Sequence, residues 1–364
     1  MEEKPTVHVY DLITGKHLTR LPYSRCSWNE SLNQAGGINV DVDMNDIAAR
    51  MNLCKLLRCW KVIISYEDPS RIIHAGPLTS VEWDADQRRL SLTCGGGLTL
   101  LTKRLVLNHR LRDTWRDGNV TVDEQHPAGD LALTAKGSAR DVIRTLIEET
   151  MQWGSLPFTL PQVEGGELSR TYNAWDLATI AERIEELDAE YRFPATHKDN
   201  GDIMFLIEAA ETLASPDTPL WNAIVPDSRV ILDGLSSDGG DMSTQIWSTG
   251  GKDNDRVYMC RRTSNQLTDQ GWTLMQSRDT ANTTVSELRT LQSSALARLS
   301  ETTWPMETIK LKVGKEHHVN TSDHIDVTIG DDYLGTRTLH LKVTDISGDS
   351  DSDWINIQAQ ERYE

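Results

Sequence analysis

The segment RIIHAGPLTSVEWDADQRRLSLTCG, residues 71–95, decides what fold the first part of the chain can take. In the parts of the segment that flank the stretch 84–87, apolar and polar residues alternate, as in half-buried strands. The stretch 84–87 itself is polar, which is typical of a hairpin turn. In such a hairpin Val81 and Trp83 lie on one face, and Leu90 and Leu92 lie on the other strand. The segment therefore predicts an antiparallel strand pair over 71–83 and 88–94.

The residues before this hairpin have the same pattern. Apolar residues occupy alternate positions over 6–10 and 38–42, and the stretch 60–66 predicts a stronger strand that ends at the turn 68–70. The first hundred residues are therefore predicted to form one compact β unit.

Beyond Arg104 the period changes to that of helices. Ser138 is a suitable N-cap for a helix over 138–152, whose apolar stripe is Val142, Ile143, Leu146, Ile147 and Met151. A second helix is predicted over 173–192 and a strand over 202–207. The prolines at 216, 219 and 226 mark the end of this mixed region.

The β pattern then returns. Strands are predicted over 229–232, 245–249, 256–261, 309–313, 325–329, 338–346 and 354–358. Within this region the capping box Thr284-Val285-Ser286-Glu287 predicts a helix over 284–300. Its inner stripe is expected to be Val285, Leu288, Leu291, Ala295 and Leu299.

Composition narrows the function classes. The 364 residues include 37 Lys and Arg against 55 Asp and Glu, a formal net charge of −18, which disfavours a simple nucleic-acid binder because such a surface repels phosphates. No apolar run reaches the ~20 residues that cross a bilayer, and the acidic N-terminus does not resemble a secretory signal. We expect the chain to be made and folded in a cytoplasm.

Two residue types add expectations about packing. The five cysteines form no C-x-x-C pair, which favours free thiols over disulfides or a structural zinc site. The chain has 11 Trp and only 3 Phe, and we expect most of these tryptophans in the core, with a large assembly surface as the alternative.

Three motifs contain residue types that occur in phosphate-binding or metal-binding sites. The glycines after Cys94, at 95–97, lack the residues of a phosphate loop and favour a bend. The acidic run 345–353 lacks the Gly and Glu of a calcium loop and favours a hairpin turn. His317-His318 with Asp323, His324 and Asp326 offers metal-ligand chemistry, but adjacent strand residues point to opposite faces, so a polar loop is preferred. No catalytic, cofactor-binding or metal residue and no cofactor is predicted, and the chain is expected not to be an enzyme.

The run Ile73-His74-Ala75-Gly76-Pro77-Leu78, the hairpin that continues to Gly95, and Leu98, Leu101 and Arg104 together resemble a known family. They are similar to hub proteins at the tail tip of long-tailed bacteriophages, often called minor tail proteins in actinobacterial phages and related in fold to the baseplate hub of contractile tails. The order of β block, helices and second β block agrees with this resemblance over nearly the whole chain.

The resemblance implies a mixed, β-rich α+β fold with two tail-tube-like β-barrels and an inserted α/β domain. The corresponding domains are 1–107 for the first β-barrel, 108–225 for the insertion, which can return a strand to the first barrel, and 226–364 for the second β-barrel with its helix at about 284–300.

The resemblance also implies a structural virion protein, a homotrimer that adapts the six-fold tail tube to three-fold tip proteins. The implied partners are a distal tail protein or the tail tube above, the tape-measure protein, and spike or fibre proteins below, while DNA passes through the lumen during ejection without specific binding. An acidic lumen would favour this passage, and the expected location is the virion tail tip after assembly in the host cytoplasm.

Two other functions stay open on the sequence. One is a tail-associated lysin that hydrolyses the cell wall, since hub proteins often carry such extensions, although the predicted strands continue to within a few residues of Glu364. The other is a receptor-recognition module that binds sugars through exposed tryptophans.

Overall fold

The computed structural model describes residues 4–253, 256–279 and 288–362. The helices are α1 (Asp46–Arg50), α2 (Leu53–Leu56), α3 (Ala139–Met151), α4 (Ile180–Glu185) and α5 (Leu288–Thr302). The strands are β1 (Thr6–Asp11), β2 (His17–Leu21), β3 (Arg25–Ser31), β4 (Gly37–Asp43), β5 (Val62–Glu67), β6 (Ile72–Asp84), β7 (Arg89–Gly95), β8 (Trp115–Arg116), β9 (Asn119–Val120), β10 (Leu133–Gly137), β11 (Leu168–Tyr172), β12 (Glu190–Arg192), β13 (Ala195–His197), β14 (Ile203–Phe205), β15 (Glu208–Ala210), β16 (Leu220–Asn222), β17 (Val230–Asp238), β18 (Gln245–Asp253), β19 (Arg256–Thr263), β20 (Gln276–Asp279), β21 (Met306–Gly314), β22 (His324–Asp331), β23 (Gly335–Asp349) and β24 (Trp354–Glu361).

The chain divides into two compact units. The first contains Met1–Leu232 and Leu311–Glu364, and the second is Asp233–Lys310. The second unit is therefore an insertion within the predicted third domain, 226–364. The boundaries of the three predicted domains stay a prediction.

A large, mostly antiparallel sheet dominates the fold. Its main path runs β17-β21-β24-β23-β3-β4-β7-β6-β5-β1-β2, with β22 paired to β23 and β16 paired in parallel to β22. This confirms the β-rich part of the predicted fold class. Within the described residues no closed barrel is found, so the two-barrel part of that prediction is not confirmed.

The predicted hairpin over 71–83 and 88–94 is confirmed as β6 and β7. In the β6–β7 pair, Trp83 lies opposite Leu90 and Val81 opposite Leu92. The alternation over 38–42 also places its apolar residues inward, since Ile38, Val40 and Val42 are all buried in β4. Local alternation alone therefore predicted which face of β4 is buried, whereas Trp83 of β6 is half exposed.

The two ends of the chain meet in this sheet. Strand β3 pairs antiparallel with β23, from Ser27 opposite Asp349 to Ser31 opposite Asp345. The Ser31 hydroxyl donates to Asp345 Oδ1 at 2.6 Å across the pair. The edge of the first β block is thereby paired with the second β block rather than exposed.

The predicted helix over 138–152 is confirmed as α3. Ser138 and Asp141 form a capping box. Burial raises the pKa of Asp141, but N–H donors at Glu164, Ser138 and Gly165 outweigh that effect and hold it below its usual range. The apolar stripe of α3 joins a core shared with the first β block, including Tyr10.

The second predicted helix, over 173–192, is wrong in extent. Leu177 adopts a left-handed conformation with φ 50°, which ends the helical geometry there, and α4 starts only after the Thr179 N-cap. After Leu187 the chain becomes extended, because β12 pairs with β15. The predicted strand over 202–207 is confirmed as the shorter β14.

In the second unit, β18 pairs antiparallel with β19 and parallel with β20, and α5 packs on one face of this sheet. The core contains Ile246, Cys260, Leu291, Ala295 and Leu299. Thr284–Glu287, the predicted capping box, lies outside the described residues. Leu288, expected on the inner stripe, is exposed and does not belong to that core.

No helix in the described part of the chain is long and apolar enough to span a membrane.

Candidate assembly surfaces

The glycines of the opening motif allow backbone segments to come close. A Cβ atom on Gly76 would lie 1.6 Å from the carbonyl oxygen of Gly95, and one on Gly96 would lie 1.8 Å from that of Ala35. A Cβ on Gly97 would meet the side chain of Phe193 at 2.6 Å. The chain leaves β7 here and enters a 3-10 turn, so these glycines serve packing and a change of direction.

A buried polar cluster joins β1 and β5 of the first β block to β13. The Tyr10 hydroxyl donates to Glu67 Oε1 at 2.8 Å, and His197 Nε2 lies 3.2 Å from the other oxygen of Glu67. Burial, with a further contribution from Glu67, raises the pKa of Tyr10 far above its usual value. The raised pKa favours the protonated hydroxyl, which is the form that donates this hydrogen bond.

A second cluster joins the inserted region to the second β block. Lys342 Nζ and the Ser322 hydroxyl both donate to Glu190, and the N–H of Leu213 donates to Glu190 Oε2 at 2.7 Å. Burial raises the pKa of Glu190, but these donors outweigh it and lower the pKa below its usual value. The cluster holds β12 against β23 and against the segment that leads into β22, so it fixes the position of β12.

The residues weighed for metal binding are held by other protein groups. His317 lies against Trp221, with ring centroids 5.1 Å apart, and Asp326 accepts from His340 at 2.8 Å. His324 contacts Arg362, and Asp323 accepts from the N–H of Asn320. Among the residues that the structure describes, no group of three or more His, Cys, Asp and Glu side chains is placed to hold a metal ion.

The structure agrees with the sequence predictions for the acidic run 345–353 and for the cysteines. The run 345–353 supplies the end of β23 and the turn into β24, which confirms the hairpin. All five cysteines are free; Cys54 and Cys59 are exposed and the other three are buried. Burial raises the pKa of the Cys26 thiol to about 12.

Two shallow cavities lie in the first unit. One, of about 330 Å³, is lined by His8, Arg20, Glu67 and His197 among others. The other, of about 260 Å³, contains His74 of the opening motif. The first cavity includes Glu67 and His197 of the polar cluster around Tyr10, and the second includes Gly97 of the glycine motif.

The tryptophans correct the expectation that most lie in the core. Only Trp28 and Trp221 are buried. Seven of the eleven have 38% or more of their surface exposed: Trp60, Trp83, Trp115, Trp175, Trp247, Trp272 and Trp304. Large aromatic side chains left on a surface are typical of protein–protein contacts, so the alternative, an assembly surface, is favoured.

One of these tryptophans lies on the open face of the second unit's sheet. Trp247 on β18 lies opposite Arg261 on β19 and opposite Arg278 on β20. Val257 and Met259 of β19 are exposed on the same face. We call these five residues the Arg-Trp-Arg face. The sequence analysis did not predict this face, because it depends on how β18 pairs with its two neighbours. One of them, β20, is not adjacent to β18 in sequence.

No family model and no curated protein sequence matches the chain. Its similarity to known proteins is structural. It matches the 43 kDa tail protein of prophage MuSo2 from Shewanella oneidensis with a TM-score of 0.58 and 8% identity, covering 98% of both chains. It matches a tail protein from Neisseria meningitidis MC58 with a TM-score of 0.54 and 13% identity, over 99% of this chain and 97% of that one.

A third match is prophage tail protein gp18 from Listeria monocytogenes EGD-e, with a TM-score of 0.52 and 11% identity over 98% and 94% of the two chains. These matches cover nearly the full length, so the chain has the fold of phage and prophage tail proteins. The resemblance inferred from the sequence is confirmed at the level of the fold.

Proposed function

We propose that this chain is a structural protein of a phage virion, a homotrimeric tail-tip hub that adapts a six-fold tail tube to three-fold tip proteins. The observation that carries the proposal is the fold shared with the MuSo2 tail protein over 98% of both chains. The proposal assigns no catalytic residue and no cofactor.

The order of strands supports the symmetry argument. Strands β1 to β7 form one block, the strands from β21 to β24 form another, and the β3–β23 pair joins the two. In the proposal each block is one tube-like barrel, residues 108–225 are the inserted domain, and three subunits supply six barrels to the tube. A closed ring would also cover the remaining edges of the large sheet, β2, β16 and β17.

The charge supports a role around DNA without binding it. The segment 233–310 has eight Lys or Arg and ten Asp or Glu residues, a net charge of −2, which leaves −16 for the rest of the chain. In the proposed trimer this surplus acid lines the lumen and repels passing phosphates, so that ejection is not slowed by tight contacts.

The proposed partners follow from the position in the tail. Above the trimer lies a distal tail protein or the tube, below it lie spike or fibre proteins, and the tape-measure protein occupies the lumen before ejection. The proposed location is the virion tail tip.

Two measurements test this function. Light scattering on the purified chain should give the mass of a trimer of 40.9 kDa subunits, about 123 kDa. Antibody labelling of phage particles seen by electron microscopy should mark the tail tip. A monomeric mass, or label confined to the head, would overturn the proposal. Release of fragments from host cell walls by the purified chain would favour the lysin alternative instead.

A further inference from the structure

We propose that the Arg-Trp-Arg face of one copy docks on the acidic end of the β22–β23 hairpin of a second copy. The inference rests on the proposed function, because it names a contact that would hold the trimer together. It is argued from two exposed surfaces of opposite charge in the same chain.

Among the described residues of the second unit, no helix or strand packs on the Arg-Trp-Arg face. Helix α5 packs on the side of the sheet that carries Ile246 and Cys260, while the residues that alternate with these point to the opposite side. There Trp247, Val257 and Met259 expose 38%, 50% and 54% of their surfaces. A sheet face with three large apolar side chains in water gains free energy when a partner covers it.

The charge of this face is positive. Arg261 and Arg278 flank Trp247 in the register, and the Arg261 guanidinium lies 5.7 Å from the Trp247 ring centroid. The other described side chains at paired positions on this face are neutral, including Thr249 and Gln276. Arginine and tryptophan are the residues most often found at the energetic centre of protein interfaces.

The β22–β23 hairpin ends in a surface of complementary chemistry. Asp331 and Asp332 lie at its turn beside Tyr333, which is 86% exposed. Ile224 packs against Gly330 at this end of the hairpin, and Ile224 and Val225 remain about half exposed. We call these five residues, at 224, 225 and 331–333, the acidic tip.

The charges favour a second copy as the occupant of the face. The surplus of −16 lies outside the segment 233–310, so another copy presents acid to the two arginines, while a nucleic acid would meet the repulsion of the whole chain. The contact joins two different patches. Such a heterologous contact repeats from subunit to subunit, and with a three-fold rotation between neighbours it closes into the ring that a trimer requires.

The inference is tested with charge reversals in the full chain. The double variant Arg261→Glu with Arg278→Glu places acid opposite the acidic tip, and the variant Asp332→Arg places a cation opposite the arginines. Each should raise the trimer dissociation constant at least tenfold, measured by light scattering over a dilution series. Combining the reversed face with the reversed tip should recover trimer relative to either alone.

The matched control is Arg298→Glu. Arg298 is exposed on α5, the layer on the other side of the same sheet, so its reversal changes the charge of the unit in the same direction as each single face reversal and should leave the trimer intact. Far-UV circular dichroism of every variant establishes that it is folded. For any reversal that unfolds the chain, Arg261→Gln with Arg278→Gln replaces it and should weaken the trimer by at least threefold.

The outcomes separate this inference from the proposed function. A wild-type trimer that is unaffected by folded face and tip variants overturns the docking contact and leaves the hub proposal standing. A wild-type monomer overturns both. If the face variants keep the trimer but lose binding to a fluorescent single-stranded oligonucleotide at low salt, the face binds nucleic acid and the inference is wrong.

Discussion

Replacing Gly76 with Ala tests the packing of the opening motif directly. The added Cβ would lie 1.6 Å from the carbonyl oxygen of Gly95, 2.4 Å from its carbonyl carbon and 2.9 Å from Cα of Gly96. All three neighbours are backbone atoms, so no side-chain rotation relieves the overlap. Strand β6 and the segment after β7 must move apart by about 1.5 Å or more to restore van der Waals contact.

The magnitude follows from what this displacement disrupts. Overpacking costs about 1–3 kcal/mol, and each ladder hydrogen bond lost beside Gly76, which pairs with Ile64, adds about 1 kcal/mol. The smaller conformational entropy of alanine in the unfolded chain offsets about 0.4–1 kcal/mol. We therefore expect the free energy of unfolding of the first unit to fall by about 2–4 kcal/mol.

Gly129→Ala is the matched control. Nothing lies within 4 Å of a Cβ at Gly129, and its φ is not in the left-handed region, so the same substitution should change the free energy of unfolding by less than about 1 kcal/mol. Guanidinium unfolding followed by circular dichroism and tryptophan fluorescence compares both variants with wild type. A Gly76→Ala variant as stable as Gly129→Ala would refute the close approach of these strands.

The other predictions concern buried charge and thiols. Glu190→Gln leaves Lys342 without its anion and should cost about 2–4 kcal/mol at pH 7; since the folded pKa is lowered, the difference should shrink as the pH falls below about 4, and a pH-independent difference in unfolding midpoints would contradict it. Asp141→Asn removes the charge that accepts three N–H donors and should cost about 1–3 kcal/mol; an unchanged thermal midpoint would argue against the cap. Under native conditions only Cys54 and Cys59 should react with a thiol reagent, and mass spectrometry should find five modified cysteines only after denaturation.

The parts of the fold that sequence predicted are those fixed by local signals. The β6–β7 hairpin follows from a short polar turn between two alternating segments, and α3 follows from the Ser138 cap followed by an apolar stripe. The predicted helix over 173–192 is wrong in extent. The spacing of its apolar residues fits a helix, but the left-handed conformation of Leu177 and the ion pair of Glu190 with Lys342 impose other conformations. Tertiary contacts overrode local propensity there.

The candidate surfaces required knowledge that local pattern does not contain. The row Arg261, Trp247, Arg278 exists only because β18 pairs with a neighbour on each side, one antiparallel and one parallel. The exposure of most tryptophans likewise depends on which faces the sheets leave uncovered. The separate second unit was not predicted for a similar reason. Its strands and helix have the same kind of apolar pattern as the elements around them, so the sequence shows no boundary there.

The pairing of β3 with β23 sets a schedule for biosynthesis. Ser31 and its partner Asp345 are 314 residues apart. At about 5–20 residues per second, a ribosome needs roughly 16–63 s to deliver the second strand after the first. During that interval one edge of β3 is paired with β4, while the edge that β23 later covers presents unpaired backbone groups of the kind that promote aggregation.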